Sequence, residues 1–177
     1  MIPVTLIKAI VTQLIIYPPA RPLLPWPDDG RVYALVRAPN IPVGFYRYLY
    51  DTVGKAHHWT SRHLPDARLA QEIHSPSIGI HVLYVDGAPA GWFETEHKVQ
   101  LRETRIVHFA VLPDFHGQKL ARPLLTRAIE AGLSTGCEVL SLETNTLDHP
   151  AALRLYRTSG FEAVGVREVL TAAIEPR

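Results

Sequence analysis

The stretch Phe109-Ala-Val-Leu-Pro-Asp-Phe-His-Gly-Gln-Lys-Leu-Ala-Arg-Pro-Leu-Leu125 reads as a strand end, a tight turn and the opening turns of a helix. Ile106 to Leu112 is an apolar run broken only by His108, which suits a strand buried on both faces. Pro113-Asp114 breaks it. From Leu120 the apolar residues recur at Leu124, Leu125, Ala128, Ile129 and Leu133, one face of a helix. A helix that starts directly after a strand leaves its first backbone N–H groups unpaired at the positive end of its dipole, a ready anion site. His116-Gly117-Gln118-Lys119-Leu120-Ala121 stands there, basic and small, with no acidic side chain before Glu130.

A second block follows about 30 residues on: Ala152-Leu153-Arg154-Leu155-Tyr156, then Gly160-Phe161. Together the blocks resemble the acyl-CoA-binding signatures of the GNAT superfamily of N-acyltransferases. The first family pattern is Gln/Arg-x-x-Gly-x-Gly/Ala; His116 replaces the Gln or Arg, Lys119 replaces the middle glycine, and Ala121 fits. The second is Asn-x-x-Ala-x-x-Leu-Tyr-x-x-x-Gly-Phe, of which only the Asn is missing, with His149 in its place. The resemblance runs from about Arg31 to Leu170.

Length and composition bound the reading. A chain of 177 residues holds one domain with a sizeable core. A net charge of +1 and the lack of any Lys/Arg block argue against nucleic acid as a partner. The single cysteine, Cys137, rules out an internal disulfide framework, and the nine histidines are scattered without a metal-ligand spacing, so no metal is expected. Ile2 to Tyr17 is apolar, but it has no basic segment before it or cleavage site after it, and it is too short to span a bilayer. The expectation is a cytoplasmic protein without a membrane partner.

Along the chain, Ile10 to Tyr17 reads as a strand, and Pro18 to Pro27 as a stiff extended connection. Residues 1–30 thus form an N-terminal strand and Pro-rich segment packing on a domain of residues 31–177. Val32 to Arg37 is a short strand. A helix follows with Asn40 as cap and Pro42 in its first turn, ended by Gly54; a second begins at Leu64-Pro65-Asp66. Ile78 to Tyr84 and Ala88 to Glu96 flank Asp86-Gly87 as a hairpin. Glu138 to Thr144 is the strand after the long helix, Asp148-His149-Pro150 caps the next helix, and Phe161 to Leu170 is the last strand, with Gly165 near a bulge. The fold class implied is α/β (α+β): a GNAT-like mixed, mostly antiparallel central sheet with helices on both faces and an extra N-terminal strand. Family sheets end in two strands after the second block. Here only one is evident, so Ile10 to Tyr17 is expected to join the sheet and bury Ile10, Leu14 and Ile16.

The resemblance implies acetyl-CoA as co-substrate. Backbone groups of Phe109, Ala110 and Val111 would hold the acyl carbonyl and pantetheine, and His116, Gly117, Gln118, Lys119, Leu120, Ala121 and Arg122 the pyrophosphate, with His149 alongside. Tyr156 would protonate the leaving thiolate. Two departures matter: Lys119 must keep its stem out of the pyrophosphate's path, and Pro123 implies a helix that loosens or starts late. The family's first helix pair borders the acceptor cleft, which makes Trp59 and Arg62 candidates for substrate contact; an aromatic anchor and a solvated cation are the alternatives. For the general base, strict alternation puts Arg105 and Val107 on the useful face and turns His108 away as a core histidine. Glu94 and Glu143 remain as candidates. The function expected is transfer of an acetyl group to a primary amine of a small-molecule or peptide acceptor. A non-catalytic acyl-CoA-binding sensor or partner module is the alternative, and a homodimer is left open. Neither Gly-x-x-x-x-Gly-Lys-Ser/Thr nor Gly-x-Gly-x-x-Gly occurs, which disfavours a nucleotide-binding enzyme.

Overall fold

The computed structural model describes residues 5–174. Eleven regular elements follow in the order β1 (Leu6–Ile16), β2 (Tyr33–Arg37), α1 (Val43–Gly54), α2 (Asp66–Ile73), β3 (Ile78–Val85), β4 (Ala88–Lys98), β5 (Glu103–Val111), α3 (Ala121–Leu133), β6 (Val139–Asn145), α4 (Ala152–Thr158) and β7 (Glu162–Ala172). The strands form one sheet in the order β2-β3-β4-β5-β6-β1-β7. Every neighbouring pair is antiparallel except β5 and β6, the two strands that α3 connects. A parallel pair needs such a crossover, and the apolar stripe of α3 is buried in making it.

Each sheet face carries its own core. On one, Leu124, Leu125, Ala128 and Ile129 of α3 pack against Leu14, Leu83, Phe93 and Leu140, with Tyr156 and Phe161 completing the cluster. On the other, Tyr46, Leu49 and Tyr50 of α1 and Leu69 and Ile73 of α2 cover Ile80, Val82, Trp92 and Ala110.

The N-terminal strand does join the sheet, but as an insertion between β6 and β7. It pairs along Val11 to Ile16 with β6 and along Leu6 to Ile15 with β7. Leu14 and Ile16 are buried, whereas Ile10 is 44% exposed. Ala9 and Val11, on the opposite face, are buried instead. In β7 the register with β1 slips between Gly165 and Ala163, so the expected bulge falls on Val164. Helix α1 starts two residues later than its sequence suggests. Pro42 is its cap residue, and no side chain, Asn40 included, caps it.

Candidate functional site

The parallel pairing of β5 with β6 covers only Glu103–Ile106 against Val139–Leu142. Beyond it the two strands separate, and β5 keeps β4 on one side alone. A cleft of about 690 Å³ occupies the gap. It runs from the start of α3, past Phe109, Ala110 and Val111, to Val11 of β1 and Val169 of β7.

At the α3 end, the His116 ring nitrogen Nε2 lies 2.9 Å from the Val111 carbonyl, and its ring meets His149 edge-on at 5.5 Å. Gly117 takes φ +75° and Lys119 takes φ +61°, so the residue standing at the glycine position holds the left-handed backbone that glycine adopts without strain. Helix α3 begins only at Ala121, and its first backbone bond in this turn runs from Leu124 N–H to the Leu120 carbonyl. Pro123 therefore sits in the first turn, where no N–H is missed, and the late start removes any reason for loosening. Gly117, Lys119, Leu120 and Ala121 line the cleft. Gln118 does not. Its Oε1 accepts from Arg31 at 2.5 Å and its Nε2 donates to the Asp114 carbonyl, and Arg122 points to the outer side of the helix. An open strand edge, unpaired helix N–H groups and a glycine with empty space at its Cβ position suit a thioester ligand with an extended arm and a pyrophosphate.

Tyr156 of α4 is buried, with its ring edge-on to Phe109 at 6.2 Å and to Phe161 at 6.1 Å. It lines the cleft, and among the described residues no group hydrogen-bonds its hydroxyl. Burial, reinforced by the Asp148 charge, pushes its phenol well above the ordinary value, so it remains a proton donor. Asp148 itself accepts from Thr144 Oγ1 and Asn145 N–H through one oxygen and from Trp59 Nε1 at 3.2 Å through the other. Trp59 thereby ties the loop after α1 to the loop before α4 and forms one wall.

The central wall holds a buried polar network. Glu94, fully inaccessible on β4, accepts from Tyr46 Oη at 2.6 Å, from Arg62, and from His108 Nδ1 at 3.0 Å. Burial alone would raise its carboxyl; the hydrogen bond from His108, the Arg62 charge and the Tyr46 hydrogen bond lower it to about 2. Arg62 is spent on this arrangement, donating also to Glu72 at 2.6 Å, and it does not border the cleft. Nor does Glu94. His108 does: its ring lies among Trp59 at 5.1 Å, Tyr50 at 5.2 Å and Trp92 at 5.6 Å. With Nδ1 on the carboxylate, Nε2 is the nitrogen left for the cleft.

This overturns the expected direction of His108. Glu94 pairs with His108 but Thr95 pairs with Ile106, so Val107 is an extra residue, a β-bulge that reverses side-chain alternation. Ile106 belongs to the core under α3, while Ala110 belongs to the core under α1 and α2. His108 falls on the latter side. Nothing in the residue types around Val107 marks a bulge; only the acid Glu94 on the neighbouring strand hinted at a partner. Glu143 lines the cleft on β6, but its oxygens accept from both arms of Arg167, at 2.8 and 2.9 Å, and from Arg105. Arg167 foremost holds its carboxyl below the ordinary range, so it is a poor proton acceptor.

Among the described residues no group of His, Cys, Asp and Glu is placed to hold a metal, and no helix is long and apolar enough to cross a membrane. The profile of the acetyltransferase (GNAT) family matches residues 45–161. A Bacillus subtilis (strain 168) protein assigned as a ribosomal protein bS18-alanine N-acetyltransferase is 27% identical over 114 residues, 64% of this chain and 74% of that protein. A GCN5-related N-acetyltransferase from Sphaerobacter thermophilus superposes with a TM-score of 0.64 at 18% identity, over 95% of this chain. The chain spans about half of that protein, 52% of its length. An aminoglycoside acetyltransferase from an uncultured soil metagenomic sample gives a TM-score of 0.58 at 16% identity, over 75% of this chain and 89% of its own. At these identities the structural likenesses establish the fold.

Proposed function

Because the chain belongs to the GNAT acetyltransferase family, with its profile covering more than half of the sequence, we propose that it transfers the acetyl group of acetyl-CoA to a primary amine in the cleft between β5 and β6. The single observation that carries the proposal is the His108–Glu94 pair beside that cleft, with the free hydroxyl of Tyr156 bordering the same space.

Acetyl-CoA supplies the acyl group as a thioester. The unpaired edge of β5 at Phe109 to Val111 offers backbone N–H to an acyl oxygen as it gains charge. Gly117 to Ala121, with the Lys119 ammonium, face the pyrophosphate. Glu94 accepts a hydrogen bond from His108 Nδ1–H, which fixes the tautomer and leaves the Nε2 lone pair to take a proton from the acceptor amine. Arg62 and Tyr46 keep Glu94 ionised. Tyr156 gives its hydroxyl proton to the departing sulfur, and Trp59 walls the acceptor's side. Proteins like this chain act, by name, on a ribosomal protein alanine and on aminoglycosides; here the acceptor is proposed only as a small-molecule or peptide primary amine.

A thiol-release screen with acetyl-CoA over amino acids, peptides, polyamines and aminoglycosides tests the reading. The wild type should turn over at least one class, and His108→Gln should lose roughly 10²-fold or more in kcat while acetyl-CoA still raises the melting temperature. Acetyl-CoA binding without turnover on any class would favour a sensor module. An unmoved melting curve at millimolar acetyl-CoA, in wild type, would remove the donor.

A further inference from the structure

The Pro-rich arm after β1 is fastened to α3. Leu24 N–H donates to Thr126 Oγ1 at 3.2 Å, Arg127 donates to the Leu24 carbonyl at 2.8 Å, and the Arg127 guanidinium stacks 4.0 Å from the Trp26 ring centre. Arm, α3 and the end of α4 enclose a second hollow of about 260 Å³, apart from the catalytic cleft. Arg21 of the arm, Arg122 in the first turn of α3 and Arg157 of α4 all border it, with the hydroxyl-bearing Ser159. No Asp or Glu lines it.

Most of the other described arginines are paired with a carboxylate, Arg37, Arg127 and Arg154 being the exceptions. Arg31, Arg47, Arg62, Arg102, Arg105 and Arg167 each hold a carboxylate. Arg21, Arg122 and Arg157 make no ion pair among the described residues. Gly160 has φ +102°, and a Cβ there would lie 2.5–2.7 Å from Arg21 guanidinium atoms, so the glycine gives Arg21 its seat. Arg21 and the arm lie outside residues 45–161, the segment that matches the family. Like charges gathered without a counter-charge repel one another, and a guanidinium fork matches the oxygens of a phosphate.

We propose that this hollow binds a doubly charged phosphate group, clamped by Arg21, Arg122 and Arg157. The phosphate is either free in solution or a branch of a ligand that also reaches the cleft, since Arg122 follows Ala121, which lines that cleft. The clamp goes beyond the acyl-transfer reading and does not depend on it.

Isothermal titration at constant ionic strength tests it, with inorganic phosphate, CoA and dephospho-CoA (which lacks the 3′-phosphate) as the three probes. The proteins are wild type and an Arg21→Gln/Arg157→Gln double variant, both exposed positions. If the source is free phosphate, inorganic phosphate binds wild type about tenfold or more tighter than the variant, the size of one or two charge-assisted hydrogen bonds. If the phosphate is a branch, CoA outbinds dephospho-CoA about tenfold in wild type and the variant closes the gap. Either result supports the clamp and names its source. Equal affinities of wild type and variant in all three titrations overturn it. Single Arg157→Gln carries the same prediction, at a smaller ratio, should the double variant fail to fold. Should CoA not bind at all, the phosphate titration still decides.

Discussion

Replacing Glu94 by glutamine keeps the shape of the side chain and removes its charge from a fully buried position. The consequence for stability can be worked out in two ways. A fall of the carboxyl from its ordinary 4.5 to about 2 corresponds to about 3 kcal/mol favouring the folded ion. Breaking a buried ion pair from one side costs ~3–5 kcal/mol. The low end applies here, because Arg62 keeps Glu72 at 2.6 Å. Both routes give about 3 kcal/mol at pH 7, or a melting temperature lower by about 6–12 °C in a chain of this size. The pH dependence follows from the sign of the shift. A carboxyl depressed in the folded state stabilises fully above about pH 4.5, and loses that contribution as pH falls toward 2. Other acidic groups are common to both proteins, so the difference between them isolates Glu94. Urea midpoints of wild type and Glu94→Gln, taken from pH 7 down to pH 3, should converge, with less than about half of the gap left at pH 3. A constant gap over that range, or one below about 1 kcal/mol at pH 7, refutes the reasoning.

Tyr156→Phe removes a hydroxyl that no protein group bonds among the described residues. Stability should change by less than about 1 kcal/mol, while kcat on a verified acceptor drops roughly 10²-fold; a variant within a few-fold of wild type ends the acid role. Lys119→Gly relieves a left-handed lysine at φ +61° and should stabilise by about 0.5–1 kcal/mol in urea unfolding, so a destabilised variant contradicts the strain. Deleting residues 1–20 removes β1 and detaches β7 from the sheet. The product should be insoluble or lack a cooperative melt, and an unchanged melting temperature disproves the insertion.

Periodicity made most of the elements legible. Strands, helices and hairpin fall where apolar repeats and Gly/Pro breaks put them, because those signals are local. What escaped was non-local. The apolar run of β1 says strand, yet nothing within it names β6 and β7 as its neighbours, and the pairing decides that Val11, not Ile10, is buried. The same holds for the site. The turn before α3 was readable from its small and basic residues, and Tyr156 was singled out by the resemblance of its block to the family pattern. His108 was misdirected, since a one-residue bulge at Val107 depends on how β4 and β5 meet and leaves an ordinary valine in the sequence. Arg62 and Glu94 were both picked out, but their contact spans α2's approach loop and β4, which no local pattern encodes.

The slot of β1 also sets an order of events when the chain is made. On the ribosome β1 emerges first, yet β6 begins only at Val139 and β7 at Glu162. At ~5–20 residues per second, the strand waits on the order of ten seconds for either edge it needs. Until then it is an apolar ribbon with both edges bare, the kind of segment that pairs with the wrong chain. Lys8 and Gln13, the two most polar breaks in that ribbon, are exposed in the finished fold, Lys8 paired with Glu168 of β7. In the nascent chain they act as guards, interrupting a strand whose proper neighbours are still being synthesised.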